Sequence, residues 1–337
     1  MKVSLTWVFL PVCLYLLACT EAPQSQAELV LGTVCTINLY EEGSPQLYGT
    51  LFSRLRAIEM TMSATMADTV VDRINQNAGI HPVPAPLDLI EVLDQALRYA
   101  ALSEGAFDPT VGPLVQRWAI GSEHPRIPEP AEIEEALSLI TWQDLVIDQD
   151  AATVFLRRPG MALDLGAIAK GYAADEMVKI LQNARIKRAI IDLGGNIFAY
   201  GVKQDGLSWR IGLQNPLDAR GTYLGILAVQ HKSIVTSGVY ERYAEINGKR
   251  YHHILSTQDG YPVDNGLLSV TIIADYSIDA DALSTSVFAL GYEKGRALVE
   301  SLNHIEAIFV FEDKHIQGTP GALAWFTLSD SQFSLMP

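Results

Sequence analysis

Cysteine is scarce: three residues in a chain of 337, at positions 13, 19 and 35. Cys13 and Cys19 belong to an N-terminal apolar segment. The rest of the chain carries one thiol, which excludes an intramolecular disulfide there. Cys35 lies in the alternating stretch Thr33-Val34-Cys35-Thr36-Ile37 and reads as a buried strand thiol rather than a catalytic one. Cations are also few. Lys plus Arg number 24 against 39 Asp plus Glu, a net charge of −15. Displacing phosphate counterions needs clustered cations, so nonspecific nucleic-acid binding is excluded. Long apolar runs are absent after residue 18, which excludes a polytopic membrane protein. There is no repeat and no low-complexity tract. With 49% hydrophobic and 19% charged residues, the chain has enough apolar content for one large or two moderate domains and too much for disorder.

The apolar run follows Met1-Lys2 and ends Leu16-Leu17-Ala18-Cys19. One cation, a short apolar stretch and small residues before a cleavage point form a signal-peptide pattern. The Ala-Cys ending resembles the bacterial lipobox, which implies that Cys19 becomes the lipid-modified first residue. The expected organisation is a signal peptide at 1–18, a polar tether at 19–28 and one folded domain at 29–337. The expected location is a bacterial membrane, facing the periplasm.

The periodicity predicts a first strand at 29–40 and helices at 47–60, 87–103, 131–139, 168–183, 279–290 and 292–302. Strands are expected at 145–147, 153–156, 189–193, 209–213, 224–230, 240–246, 249–255, 268–274 and 307–311. Asn247-Gly248 is the strongest hairpin signal. This mixed order with many hairpins predicts an α+β fold with largely antiparallel sheets and packed helices.

Four polar or Gly-rich segments interrupt the apolar pattern. Gly105-Ala106-Phe107-Asp108-Pro109-Thr110 is a stiff turn after a helix. Asp164-Leu165-Gly166-Ala167-Ile168-Ala169-Lys170-Gly171 joins a strand to a helix. Such a loop brings an anion to the free N–H groups of the helix start, and Lys170 adds a point charge. The spacing is not that of a Walker A loop. The third segment is Thr236-Ser237-Gly238 with the hairpin that ends Tyr251-His252-His253-Ile254. Adjacent His on a strand face opposite sides, so they do not form one metal site. One of them can face a cleft as a neutral general base. The fourth is Asp279-Ala280-Asp281-Ala282-Leu283-Ser284-Thr285. Asp281 and Thr285 share a helix face, and a carboxylate with a hydroxyl suits Mg²⁺. Asp279 reads as the N-cap of that helix.

Together with Asp192–Asn196, these segments resemble the ApbE family of flavin transferases from about residue 32 to 302. The resemblance implies an ApbE-like fold with the flavin site in a cleft between two subdomains. The implied activity splits FAD at its pyrophosphate, transfers FMN to a Thr hydroxyl of an acceptor protein and releases AMP, with Mg²⁺ required. The implied acceptors are subunits of sodium-translocating NADH:quinone reductases or related membrane electron-transport complexes. Inner-membrane acceptors favour the inner membrane, whereas Thr20 after the lipidated cysteine favours the outer one. Carried over by position, Asp281, Thr285 and the carbonyl of Ala167 are the Mg²⁺ ligands. Met62, Ser63, Ala106, Phe107, Asp108, Asp164, Lys170 and Ile254 contact FAD. His253 is the base that activates the acceptor hydroxyl, and His252 is structural. Alternatives on the same fold are an FAD pyrophosphatase yielding FMN and AMP, and a non-catalytic FAD-binding lipoprotein. The chain departs from the family at Thr65, where an aromatic is usual, at Leu31, usually Met, and at Ser256-Thr257-Gln258-Asp259-Gly260, usually Asp-Pro-x-Thr-Gly. Loss of an aromatic partner weakens flavin stacking by about 1 kcal/mol. The changed loop bears on acceptor geometry, and so on the balance of transfer against hydrolysis.

Overall fold

The structure is a computed structural model that describes residues 24–41 and 43–336. The signal segment, Cys19 and the start of the tether lie outside the described residues. β1 (Gln24–Val30) and β2 (Thr33–Leu39) form an antiparallel hairpin. Its two-residue turn, Leu31-Gly32, has positive φ at both positions (57° and 65°). This corrects two expectations. Residues 29–40 are not one strand, and 24–28 are sheet rather than tether. β1 is an edge strand whose side chains mostly face solvent, so its composition reads like a linker.

α1 (Pro45–Met62) starts at Ser44, whose side chain accepts from Leu47 N–H. It buries Tyr48, Leu51, Phe52, Leu55, Ile58 and Met62, one helical stripe. α2 (Val70–Gln76), α3 (Leu87–Leu102), α4 (Gly112–Trp118) and α5 (Pro130–Ser138) follow, with the short β3 (Val83–Pro84) between α2 and α3. β3 pairs with the hairpin β4 (Leu145–Asp148) and β5 (Thr153–Leu156). α6 (Ala169–Asn183) then leads into β6 (Ala189–Leu193) and β7 (Asn196–Tyr200). Next come β8 (Trp209–Gln214), β9 (Tyr223–Val229), β10 (Lys232–Gly238), and the separate hairpin β11 (Tyr243–Ile246) and β12 (Lys249–His252). The chain closes through β13 (Leu267–Ala274), α7 (Ser277–Leu290), α8 (Tyr292–Glu300), β14 (Glu306–Phe311), β15 (His315–Gly318), α9 (Pro320–Trp325), β16 (Phe326–Leu328) and β17 (Ser334–Leu335).

The main sheet runs β1-β2-β6-β7-β10-β13-β14-β15-β17 and is antiparallel except for its last pair. Every residue of β13 is buried, because this central strand is covered on both faces. Val270 and Ile272 face the large core shared with α1, α3, α6 and α7. Leu268 and Ile273 face a second core with β8, β9 and β16. A small third core gathers Leu114, Trp118, Ile133 and Ala136 with Leu255. The architecture is therefore α+β and largely antiparallel, as the sequence predicts. Among the described residues no helix is long and apolar enough to cross a membrane.

Candidate active site

The site is built where α6 and α7 meet. Neither helix is capped by its own N-cap side chain. Each is capped by the other. Asp281 of α7 accepts from Gly171 N–H of α6 at 2.9 Å. Asp175 of α6 accepts from Ser277 and Ile278 N–H of α7 at 2.8 and 2.9 Å. Both carboxylates thereby satisfy orphan helix donors. Burial pushes the Asp175 carboxyl up to about 7, against the pull of those two N–H groups. Asp279 is not the cap expected from the sequence. α7 begins two residues earlier, at Ser277, and Asp279 instead accepts from the Tyr99 hydroxyl.

Gly171 makes this junction possible. A Cβ there would meet Ser277 O at 2.3 Å, Ile278 Cα at 2.7 Å and Asp281 Cβ at 2.8 Å. Two of these are backbone atoms, so the helices would have to part. Gly171→Ala is therefore expected to destabilise the protein by about 1–3 kcal/mol by overpacking, against about 1 kcal/mol gained in helix propensity. It should also lower activity by displacing Asp281. Thermal melts and turnover assays on the same preparation check this. A variant as stable and as active as the parent would show that α6 and α7 are not held this tightly.

The 105–113 and 164–171 segments are laced together. Asp164 N–H donates to Pro109 O at 2.9 Å, and Gly112 N–H to Ala162 O at 3.1 Å. The Asp164 carboxylate accepts from Gly166 N–H at 2.8 Å and fixes the loop before α6. The Asp108 carboxylate is consumed by its surroundings, accepting from Thr110 N–H and hydroxyl and from Trp142 N–H. Burial raises its pKa, and these donors oppose that. Lys170 Nζ donates to Gly166 O at 3.0 Å and lies 3.7 Å from Asp281 Oδ1.

Because Gly171 N–H is taken by Asp281, the Ala167 carbonyl four residues earlier accepts no hydrogen bond among the described residues. Thr285 Oγ1 lies 3.3 Å from Ser237 Oγ, one helical turn beyond the buried Asp281. A free carbonyl, a buried carboxylate and a hydroxyl all line one cleft. This is a hard-oxygen donor set that fits Mg²⁺, which takes few protein ligands and keeps its waters. Among the described residues no group of three or more His, Cys, Asp or Glu is placed to hold a metal ion.

His253 enters the cleft from the end of the β11–β12 hairpin. Asn247 and Gly248, with φ of 54° and 76°, make its tight turn. The strands stop short of the expected bounds, at Tyr243 and His252. His253 N–H and Nδ1 both pair with the Arg242 carbonyl at 3.1 Å. A carbonyl only accepts, so Nδ1 carries the proton and Nε2 keeps its lone pair. Burial first, then the Arg242 charge, pushes its pKa down to about 4. His252 is structural: Nε2 donates to Val263 O at 2.9 Å and Nδ1 accepts from Ile254 N–H at 3.3 Å.

The cleft lies between the large core and the small third core. Ala106, Phe107, Asp108, Asp164, Ala167, Lys170, His253, Ile254, Asp281 and Thr285 all line it. Met62 and Ser63 do not. Met62 is part of the large core, and Ser63 Oγ accepts from Thr65 and Met66 N–H in the turn after α1. The departing loop is well built: Thr257 Oγ1 donates to Gly105 O at 2.8 Å, and Trp118 Nε1 to Gly260 O at 2.7 Å. Glu241, Arg242 and Asn196, which the sequence-based expectation does not name individually, also line the cleft. The Gly194-Gly195-Asn196 turn was the available signal for the last.

The ApbE family profile matches residues 31–309. An FAD:protein FMN transferase of Treponema pallidum (strain Nichols) is 37% identical over 328 residues, covering 92% of this chain and 91% of the relative. One from Klebsiella pneumoniae (strain 342) is 38% identical over 292 residues, covering 87% and 90%. The crystal structure of the ApbE protein from Thermotoga maritima MSB8 superposes with a TM-score of 0.82 at 30% identity, over 90% of this chain and 99% of that one. The flavin transferase ApbE from Vibrio cholerae gives 0.77 at 28% identity, over 92% and 98%. These similarities and the cleft define a flavin-transferring enzyme. The chain belongs to the ApbE family.

Proposed function

We propose that this chain transfers FMN from FAD to a Thr hydroxyl of an acceptor protein and releases AMP, with Mg²⁺ as the required cation. The observation that carries the reading is the pairing, in one cleft, of the hard-oxygen set at Ala167, Asp281 and Thr285 with a neutral, Nδ1-tethered His253. When bound, Mg²⁺ would neutralise charge on the pyrophosphate and stabilise the departing AMP. Lys170 adds a second positive charge beside the same carboxylate, which an acidic protein needs to admit an anionic substrate. His253 Nε2 accepts the proton of the acceptor hydroxyl. The Thr oxygen then bonds to the FMN phosphorus as the bond from that phosphorus to the AMP oxygen breaks. Arg242 holds the imidazole in the required tautomer through its carbonyl.

The lipobox-like end of the apolar run supports anchoring through Cys19 at a bacterial membrane, facing the periplasm. Acceptors in membrane electron-transport complexes would be reached from there.

The test mixes the full-length chain with FAD, Mg²⁺ and an electron-transport subunit that carries an exposed acceptor Thr. Flavin fluorescence is imaged on a denaturing gel, and AMP is assayed in the same tube. A fluorescent acceptor band with AMP is expected. AMP without a band would replace transfer by FAD hydrolysis. FAD bound with neither product would leave a binding protein.

A further inference from the structure

Asn196 is the first residue of β7, it lines the cleft, and the residue is 1% exposed. Its carboxamide is held at one end only. Oδ1 accepts from the Ser277 hydroxyl at 2.7 Å, and Ser277 in turn accepts from the Ser233 hydroxyl at 2.8 Å. Both serines are fully buried. In this arrangement Oδ1 is the acceptor end of the amide. The other end, Nδ2, is buried and has no hydrogen-bond partner among the described residues. A buried donor left unpaired is costly, and two buried serine hydroxyls are spent on holding the other end of the amide. A core has no use for such an arrangement, whereas a wall that meets a substrate oxygen has one.

The position narrows the partner. Ser277 opens α7, and Asp281 lies one turn further on the same helix face. Asn196 therefore stands next to the cation end of the cleft. Gly195, just before it, has φ of 94° and open space where a Cβ would be, so the backbone there leaves room for a ligand. We infer that Asn196 is a substrate-positioning residue whose Nδ2 donates to a pyrophosphate oxygen of FAD beside the cation site. This deepens the flavin-transfer reading and rests on it.

The test compares the full-length chain with Asn196→Asp and Asn196→Ala. Asp keeps the shape and the bond from Ser277 but replaces the free donor by an anionic acceptor. Affinities for FAD, ADP and riboflavin are measured in EDTA, which stops turnover, and thermal melts are run in parallel. The expected result is a loss of FAD affinity of about tenfold in the Ala variant and more in the Asp variant. The same loss is expected for ADP, with riboflavin unchanged. A loss shared with riboflavin and absent for ADP would overturn the phosphate assignment in favour of a flavin carbonyl. Unchanged affinities in both variants, whatever the melts show, would make Asn196 merely structural. If the parent chain itself bound neither FAD nor ADP in EDTA or with Mg²⁺ restored, the flavin reading would fall first and take this one with it. If the Asp variant does not fold, the Ala variant alone still decides between these outcomes.

Discussion

Replacing His253 with alanine is expected to slow flavin transfer by about 10²- to 10⁴-fold and to leave FAD bound, because general-base catalysis contributes on that order. The imidazole is held at Nδ1 by the Arg242 carbonyl, so Nε2 is the only nitrogen free for chemistry. Nothing in that geometry supports the fold from Nε2, and binding should survive the truncation. Timed gels for transfer and a flavin titration for binding check the two halves separately. Binding lost with transfer intact on the remaining bound flavin would reverse the role.

The pH dependence follows from the same environment. Burial and Arg242 push the His253 pKa down from 6.5 to about 4. The active form is the unprotonated one, so the free enzyme keeps its base from about pH 5.5 upward and loses it as pH falls through about 4. The stability linkage has the matching sign. The unfolded chain takes up the proton near 6.5 and the folded chain only near 4. Neutral His253 thus favours the folded state fully above about pH 6.5, and that contribution is lost on the way down to about 4. The pH profile of kcat/KM for FAD cleavage should therefore lack an inflection near 6.5. An inflection there that vanishes in His253→Ala would show that the imidazole is exposed to ordinary titration.

Much of this was legible in the sequence because it depends on local pattern. The helices α1, α3 and α6 carry apolar stripes, and Asn247-Gly248 announces its hairpin. Asp281 and Thr285 are visible as a pair because the helical period puts them on one face. What was hidden depends on tertiary partners. β1 reads as a linker because an edge strand need not alternate. Asp175 looks like a surface carboxylate on α6, and only its contact with the start of α7 shows it to be a cap. Asp279 reads as the cap of a helix that starts at residue 279, yet α7 begins at Ser277 and borrows its cap from Asp175. Asn196 differs from any other buried amide only in lacking a partner, which no pattern of residues records. Met62 and Ser63 rest on the resemblance alone, and the cleft forms without them.

Asp281 has two duties, and a pair of variants should separate them. Its Oδ2 caps α6 through Gly171 N–H, while Oδ1 faces Lys170 at 3.7 Å in the oxygen set proposed for Mg²⁺. Asp281→Ala removes both functions. Loss of the cap alone is expected to cost about 1 kcal/mol, as at other helix N-termini. Loss of the anionic ligand removes several kcal/mol of charge stabilisation at the phosphates, so Mg²⁺-dependent turnover should fall by about 10³-fold or more. Asp281→Asn keeps an acceptor for Gly171 N–H but not the charge. It should melt close to the parent and still be nearly inactive. The two variants are then alike in AMP release and unlike in thermal stability. If the Asn variant retained full turnover with an unchanged Mg²⁺ requirement, the carboxylate would be a cap and nothing more, and the cation would have to be held elsewhere in the cleft.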